Sequence, residues 1–339
     1  MGDVAMTVPV LRALAEQHPD VRITMVSRPL FRTFFDDIPN TAFFEADLAN
    51  RHKGIRGLFR LYTDLKKMKV DAVADLHNVL RSKIVRLFFQ LGGITTAAVN
   101  KARSEKKALI RSQNKIFKPL LPITARYGDV LAILGLPISL TNPKFPDRKP
   151  LSHEIAAITG EKSTRWIGIA PFAKHSGKVY PTDLMLKIIK KLSDAKCTLF
   201  LFGAGKEEIQ ILNEYARATS NIIVAAGKFS LKQELSLISN LDLMLSMDSA
   251  NAHIASNFGI PVITLWGATH PFAGFAPFNQ PADNAITSDR EKYPMLPTSV
   301  YGNKKVEGYD DVMRTIDPNT VVEKINAILK LGTLDQTSS

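Results

Sequence analysis

A single cysteine, Cys197, stands among 339 residues, inside the apolar run Cys197-Thr198-Leu199-Phe200-Leu201-Phe202. Disulfide scaffolds and cysteine-based zinc sites are thereby excluded, and a reducing compartment fits best. No apolar stretch reaches the roughly 18 residues of a membrane span, and the N-terminus lacks a charged-then-apolar secretion signal. Internal repeats and low-complexity tracts are absent too, with only a frayed tail expected after Gly332. What remains is 45% apolar and 22% charged, enough for a real core and long for one domain. Basic residues outnumber acidic ones in the first half alone. Residues 1–150 hold 25 Lys+Arg against 13 Asp+Glu, and residues 151–339 hold 19 against 19, so the whole +12 excess lies on one side. Such a field points to an anionic partner: phosphate-rich lipid, nucleic acid or an acidic sugar. A merely solvated basic surface is the plainer alternative.

Short β-branched runs alternate with helical-period segments throughout, the pattern of parallel sheets covered by helices. In the first half strands are expected at 21–26, 71–76 and 94–99, with helices at 8–17, 58–68 and 79–91. In the second half the strands are 166–170, 198–202, 222–225, 243–247 and 262–266, with helices at 182–194, 207–219, 231–240 and 250–258. That half reads as a complete doubly wound unit. Four prolines, Pro137, Pro143, Pro146 and Pro150, break both periods between 136 and 150 and mark an interdomain linker. Residues 268–311 read as loops near a site, and Pro318 opens a last helix over 319–331. The first half enters its first helix almost at once after Met1, without the buried strand that a doubly wound domain starts from. The expectation drawn from this is a Val/Ile/Leu-rich segment in frame upstream, with Met1 internal to a longer product.

Three strand-to-helix junctions carry chemistry. Asp248-Ser249-Ala250-Asn251-Ala252-His253 opens a helix whose free N–H groups and positive dipole end suit a diphosphate, with His253 one turn in; alternatively Asp248 is an ordinary N-cap and His253 a packed histidine. The stretch from Pro171 to Pro181 places Lys174 and Lys178 at a strand's carboxyl end, the ligand edge of an open α/β sheet. It lacks the G-x-x-x-x-G-K-S/T order of a Walker loop. Lys178 is suited to neutralising charge on a departing nucleotide. Gly203-Ala204-Gly205-Lys206-Glu207-Glu208 is a weak dinucleotide signal without its third glycine, and its glutamates either accept from ribose hydroxyls or stabilise a first helical turn. In the first half, Asp3 starts a helix, and Asp75-Leu76-His77-Asn78-Val79-Leu80-Arg81-Ser82 ends a strand with polar groups. Phe59, Leu61, Tyr62 and Leu65 interleave with Arg56, Arg60, Lys66 and Lys67, a stretch suited to an anionic membrane surface or to core packing.

Taken together these motifs resemble glycosyltransferase family nine, the lipopolysaccharide heptosyltransferases. The matching pieces are Gly2-Asp3-Val4 with Pro9 to Leu14, Asp75 to Ser82, Lys178-Val179-Tyr180-Pro181, the Gly203 turn, Asp248-Ser249 with His253 and Ala255, and Gly267-Ala268-Thr269-His270-Pro271. The resemblance implies an α/β fold of GT-B type, two facing Rossmann-like domains, here with the first strand of the N-terminal domain missing. Residues 1–150 would then bind the acceptor and carry the catalytic base, residues 151–331 would bind a nucleotide-sugar, and residues 332–339 would form a disordered tail. By the same resemblance Asp3 is the catalytic base and Lys178 its partner in catalysis. Ala173, Lys174, Lys178, Glu207, Glu208, Phe229, Asp248, Ser249, Ala250 and His253 hold the donor, and His77, Asn78, Arg81 and Ser82 the acceptor.

The chain departs from the family pattern at His77, at Ser249-Ala250, and at Ala173-Lys174 in the loop before Pro181. The implied reaction is inverting transfer of a sugar, heptose from ADP-heptose, to a lipopolysaccharide core or lipid A-linked acceptor. Neither cofactor nor metal is expected, since no D-x-D pair lies at a strand end. The implied location is the cytoplasm, peripheral to the inner membrane and its anionic glycolipid, without nucleic acid. The other readings are a nucleotide-sugar epimerase of similar shape, which would consume donor without acceptor, and a basic nucleic-acid-binding protein, for which no recognition motif or stacking platform is present.

Overall fold

The computed structural model describes residues 1–195 and 197–330; the tail expected over 332–339 lies outside the described residues. In chain order the first elements are α1 (Gly2–Ala5), α2 (Val8–Gln17), β1 (Ile23–Ser27), β2 (Thr41–Glu45), α3 (Gly54–Lys66), β3 (Ala72–Asp75), α4 (Leu80–Leu91), β4 (Thr95–Ala98), α5 (Arg103–Ile110) and α6 (Ile123–Ile133). There follow α7 (His153–Thr159), β5 (Arg165–Ala170), α8 (Thr182–Ser193), β6 (Cys197–Leu201), α9 (Gly205–Ala218), β7 (Ile222–Val224), α10 (Leu231–Ser239), β8 (Leu243–Met247), α11 (Ala250–Ser256), β9 (Val262–Trp266), β10 (Ala285–Thr287) and α12 (Pro318–Leu329).

The chain divides into two compact units. One holds Met1–Ala102 with Leu121–Lys144, the other Arg103–Leu120 with everything from Phe145 on. The break after Lys144 falls inside the proline-rich linker, six residues before the expected boundary at 150. The second unit also takes Arg103–Leu120, and the reason is local chemistry. The Lys115 ammonium donates to the carbonyls of Leu109 (3.0 Å), Met295 (3.0 Å) and Pro297 (2.8 Å). The Leu120 N–H donates to Phe272 O at 2.9 Å. Burial lowers the Lys115 pKa to about 8, with Arg290 adding repulsion, so the three carbonyls are what hold this cation in place.

The second unit is built on one six-stranded parallel sheet in the order β10-β9-β8-β5-β6-β7. Strands β8 and β9 are buried at all five positions, as expected of central parallel strands covered on both faces, which read as unbroken apolar runs. At Gly168 in β5 a Cβ would lie 2.6 Å from Leu241 Cδ1, so a larger residue there would displace that side chain. Helices end where the chemistry dictates. Ser230 and Gln233 form a reciprocal capping box at the start of α10. Asp317 caps α12 with Pro318 in its first turn. The core joins Ile167, Ile169, Leu199, Leu201, Leu243, Leu245, Ile263 and Leu265 of the sheet to Met185, Ile188 and Leu192 of α8 and Val321 and Ile325 of α12.

In the first unit, α2 buries Val8, Val10, Leu11, Leu14 and Ala15 at helical spacing. Its four strands form two separate parallel pairs, β1–β2 and β3–β4, and among the described residues no strand joins them. These strands are less enclosed: Ile23 is the one buried position of β1 and Asp75 the one of β3. A second core gathers Ala46, Leu58, Leu61, Leu65 and Phe89 between α3, α4 and the strands.

Candidate active site

In the second unit the strand order reverses between β5 and β8, which pair with each other while leading in opposite directions across the sheet. Ligands of open α/β sheets bind beyond the carboxyl ends of the strands at such a point. The loop after β5 delivers Lys178 there, and the turn after β8 delivers Asp248. The Lys178 ammonium donates to Asp248 Oδ2 at 2.9 Å, the lysine side chain 15% and the aspartate 7% exposed. Thr269, from the loop after β9, donates its hydroxyl to the same oxygen at 3.0 Å. Asp248 is therefore one anchor of a buried ion pair rather than the helix N-cap that its position allows.

The cap of α11 is Ser249, whose side chain makes no capping bond. Its hydroxyl instead meets that of Ser246 at 3.0 Å. The opening N–H groups of α11 thus receive no side-chain oxygen from Ser249, leaving donors at the position where an anion is favoured.

Three loops are tied together around Lys178. Its backbone closes a short turn over Ser176–Lys178, after which Tyr180 is buried and donates its hydroxyl to Ile316 O at 2.7 Å. Gly177 O accepts from Ala268 N at 2.8 Å, and Ala268 O accepts from the N–H groups of Thr298 (3.0 Å) and Ser299 (3.1 Å). Gly302 has φ +77°, and a Cβ there would lie 2.4 Å from Lys178 Cγ. Backbone conformation and the lysine stem both demand glycine at this position.

The loop after β9 is braced from below. His270 is buried, its Nδ1 accepting the Phe272 N–H at 3.2 Å. Its ring meets those of Phe117 (4.9 Å) and Phe272 (4.4 Å), and the Arg290 guanidinium lies 3.4 Å from the Phe117 ring centre. Burial pulls the His270 pKa down to about 4 from 6.5, with Arg290 and Lys115 adding repulsion. Because the folded value is depressed, this histidine's full contribution to stability is present above pH 6.5. It is lost as pH falls toward 4, by ~3 kcal/mol. His270→Asn keeps an acceptor for the Phe272 N–H and removes this titration, so its urea midpoint should vary less than the parent's between pH 6.5 and 4. Equal slopes would refute the assignment.

The remaining residues expected at the donor have varied settings. Lys174 and Glu207 are exposed, Ala173, Glu208, Phe229, Ser249 and Ala250 are half-buried, and His253 is buried. Glu208 Oε2 accepts from Ala204 N at 2.7 Å, stabilising the Gly203 turn at the start of α9. Sequence pattern alone assigns no role to Thr269, although it stands in the Gly267–Pro271 piece, and none to Gly302, whose need for glycine comes from a lysine 124 positions away.

In the first unit, Asp3 is exposed in the first turn of α1. Its charge reaches His77, the imidazole after β3: desolvation holds the His77 pKa below its ordinary value, and the Asp3 carboxylate opposes that. Tyr127 of α6 also feels Asp3, which together with burial raises the phenol's pKa. Asp75 is buried and folds the turn, its Oδ1 accepting from the N–H groups of His77 (3.2 Å) and Asn78 (2.6 Å). Asn78 takes a left-handed backbone (φ +45°) and donates its amide to Val99 O at 2.8 Å. The Ser82 hydroxyl is engaged with the backbone of Val79 at the start of α4, whereas Arg81 points its exposed side chain outward. So Asp3, His77 and Tyr127 are brought together electrostatically, while Asn78 and Ser82 chiefly hold the turn. No group of three or more His, Cys, Asp or Glu suited to a metal occurs among the described residues. No helix among them is long and apolar enough to cross a membrane.

Comparison with known proteins agrees with this architecture. A family model described as glycosyltransferase family 9 (heptosyltransferase) matches residues 58–305. The lipopolysaccharide core heptosyltransferase OpsX of Haemophilus influenzae is 25% identical over 311 residues, 85% of this chain and 81% of that protein. The structure is similar to that of the glycosyl transferase family 9 protein from Veillonella parvula (TM-score 0.73, 19% identity, 98% of this chain and 95% of that one). It is also similar to the E. coli heptosyltransferase WaaC with ADP (TM-score 0.68, 16% identity, 97% of each chain). The fold is of the GT-B type and the molecule is a glycosyltransferase. The chain belongs to glycosyltransferase family 9.

Proposed function

We propose that this enzyme transfers heptose from ADP-heptose to the lipopolysaccharide core or a lipid A-linked acceptor, with inversion and without a metal ion. The observation that carries the reading is the buried Lys178–Asp248–Thr269 cluster at the sheet's switch point, beside the open N-terminus of α11. The names of the relatives, a lipopolysaccharide core heptosyltransferase and a heptosyltransferase solved with ADP, support the choice of donor and acceptor.

In the proposed reaction the Asp3 carboxylate accepts the proton of the acceptor hydroxyl as its oxygen attacks the anomeric carbon. The bond from that carbon to the diphosphate breaks on the opposite face, which inverts the configuration. Charge growing on the departing diphosphate is met by the Lys178 ammonium and the first N–H groups of α11. Asp248, fixed by Thr269, aims that lysine. His77, whose pKa desolvation lowers, offers a hydrogen-bonding ring near the base, and Arg81 meets an anionic acceptor. The second unit supplies the donor site, the first the base and acceptor site, and the location proposed is the cytoplasmic side of the inner membrane.

The test is an ADP-release assay with ADP-heptose and purified core acceptor in EDTA, with the product read by mass spectrometry and its anomeric proton by NMR. Acceptor-dependent ADP release, a gain of one heptose and an inverted anomer are expected. ADP release that ignores the acceptor, or transfer abolished by EDTA and restored by a divalent ion, would overturn the corresponding part of the proposal.

A further inference from the structure

The amphipathic stretch on α3 splits cleanly in the fold. Leu58, Leu61 and Leu65 enter the core with Phe89, whereas Ile55 and Phe59 are left 60% and 51% exposed. On α4, Leu87 and Leu91 are 50% and 78% exposed. The two helices pack against each other, the Phe59 ring meeting the Phe88 ring edge-on at 5.4 Å. Of the thirteen strongly exposed large apolar side chains among the described residues, six fall between Ile55 and Leu91. A cluster of this kind on one surface marks an interaction site.

The charge around it has one sign. Residues 53–91 contain nine Lys+Arg against Asp64, Asp71 and Asp75. Asp75 is buried with Arg86 3.7 Å away, and Asp64 is held by Arg51 at 2.6 Å and Lys67 at 3.5 Å. Arg56, Arg60 and Lys83 are exposed and form no ion pair among the described residues. We infer that the outer surface of α3 and α4 docks on an anionic lipid bilayer. Ile55, Phe59, Leu87 and Leu91 enter the headgroup boundary, and Arg56, Arg60 and Lys83 meet lipid phosphates. A second copy of the chain fits poorly, since a two-fold contact would set this positive field against itself. The exposed apolar groups are mostly aliphatic, which suits acyl chains better than stacked bases. The inference deepens the proposed function by naming the surface that brings the enzyme to a glycolipid, and it rests on that reading for its purpose only.

The experiment is flotation of the full chain with vesicles of phosphatidylcholine alone or mixed with phosphatidylglycerol. The variants are Phe59→Ser/Leu87→Ser/Leu91→Ser and Arg56→Gln/Arg60→Gln/Lys83→Gln. The parent should float with the anionic vesicles only, less so as salt rises. Each variant should bind them at least about tenfold more weakly, since both apolar burial and charge contribute. Thermal unfolding and ADP binding, measured in parallel, should match the parent and so separate lost docking from lost folding. Failure of the parent to float, full binding by both variants, or a solution dimer abolished by the Ser variant would overturn the proposal. Vesicle binding without sugar transfer would remove the proposed function alone. Transfer to a delipidated acceptor without vesicle binding would remove the docking surface alone.

Discussion

Asp3→Asn is expected to lower kcat by about 10²–10⁴, the range for loss of a positioned general base, while nucleotide-sugar affinity and folding stability stay at parental values. Stability is spared because Asp3 is exposed and its carboxylate forms no hydrogen bond or ion pair among the described residues. A neutral amide of the same shape in the first turn of a four-residue helix changes stability by no more than about 0.5 kcal/mol. The substitution also carries a spectroscopic signature independent of turnover. The Asp3 charge works to raise the His77 pKa against desolvation, so removing it should lower that value further in an NMR titration. A residue serving only as a helix-start acidic group would leave kcat intact. Retained turnover would therefore reject the role of base, and an unmoved His77 titration would reject the proximity.

Much of the second unit was legible in the sequence because its strands are enclosed on both faces. The runs 243–247 and 262–266 coincide with β8 and β9 to the residue, each all-apolar or nearly so and ended by a turn. Strand β2 falls outside the strands expected from the sequence: Thr41–Glu45 is only half-covered, and a short helical turn over Pro29–Phe34 precedes it. Helix α5 and the rest of Arg103–Leu120 read with the first half because nothing local says otherwise. Their allegiance is set by a lysine whose carbonyl partners lie 180 and 182 positions onward.

The same limit applies to the site. Each of Lys178, Asp248 and Thr269 could be placed at a strand's carboxyl end, but the bond between the first two spans 70 positions. Without that partnership an aspartate before a helix reads as a cap. For the amphipathic stretch, spacing showed that apolar and basic residues alternate, and only packing shows which leucines are consumed by the core.

The second large effect is expected at the ion pair itself, and a double substitution separates its two roles. Lys178→Met removes the cation that meets the leaving diphosphate, so kcat should fall about 10²–10³, the scale for loss of one preorganised electrostatic group, with weaker ADP binding by calorimetry. It also strands Asp248, 7% exposed, with only the Thr269 hydroxyl. Breaking a buried pair from one side costs ~3–5 kcal/mol of stability, visible as an early urea transition. Lys178→Met/Asp248→Leu removes both charges, and because replacing a buried pair by apolar groups is often neutral, most of that stability should return. Activity should not return, since the diphosphate still lacks its cation. A double variant that regains stability and transfers sugar at the parental rate would show that the pair serves the fold alone. One that stays as unstable as Lys178→Met would show that the loss came from the packing of the lysine stem against Gly302.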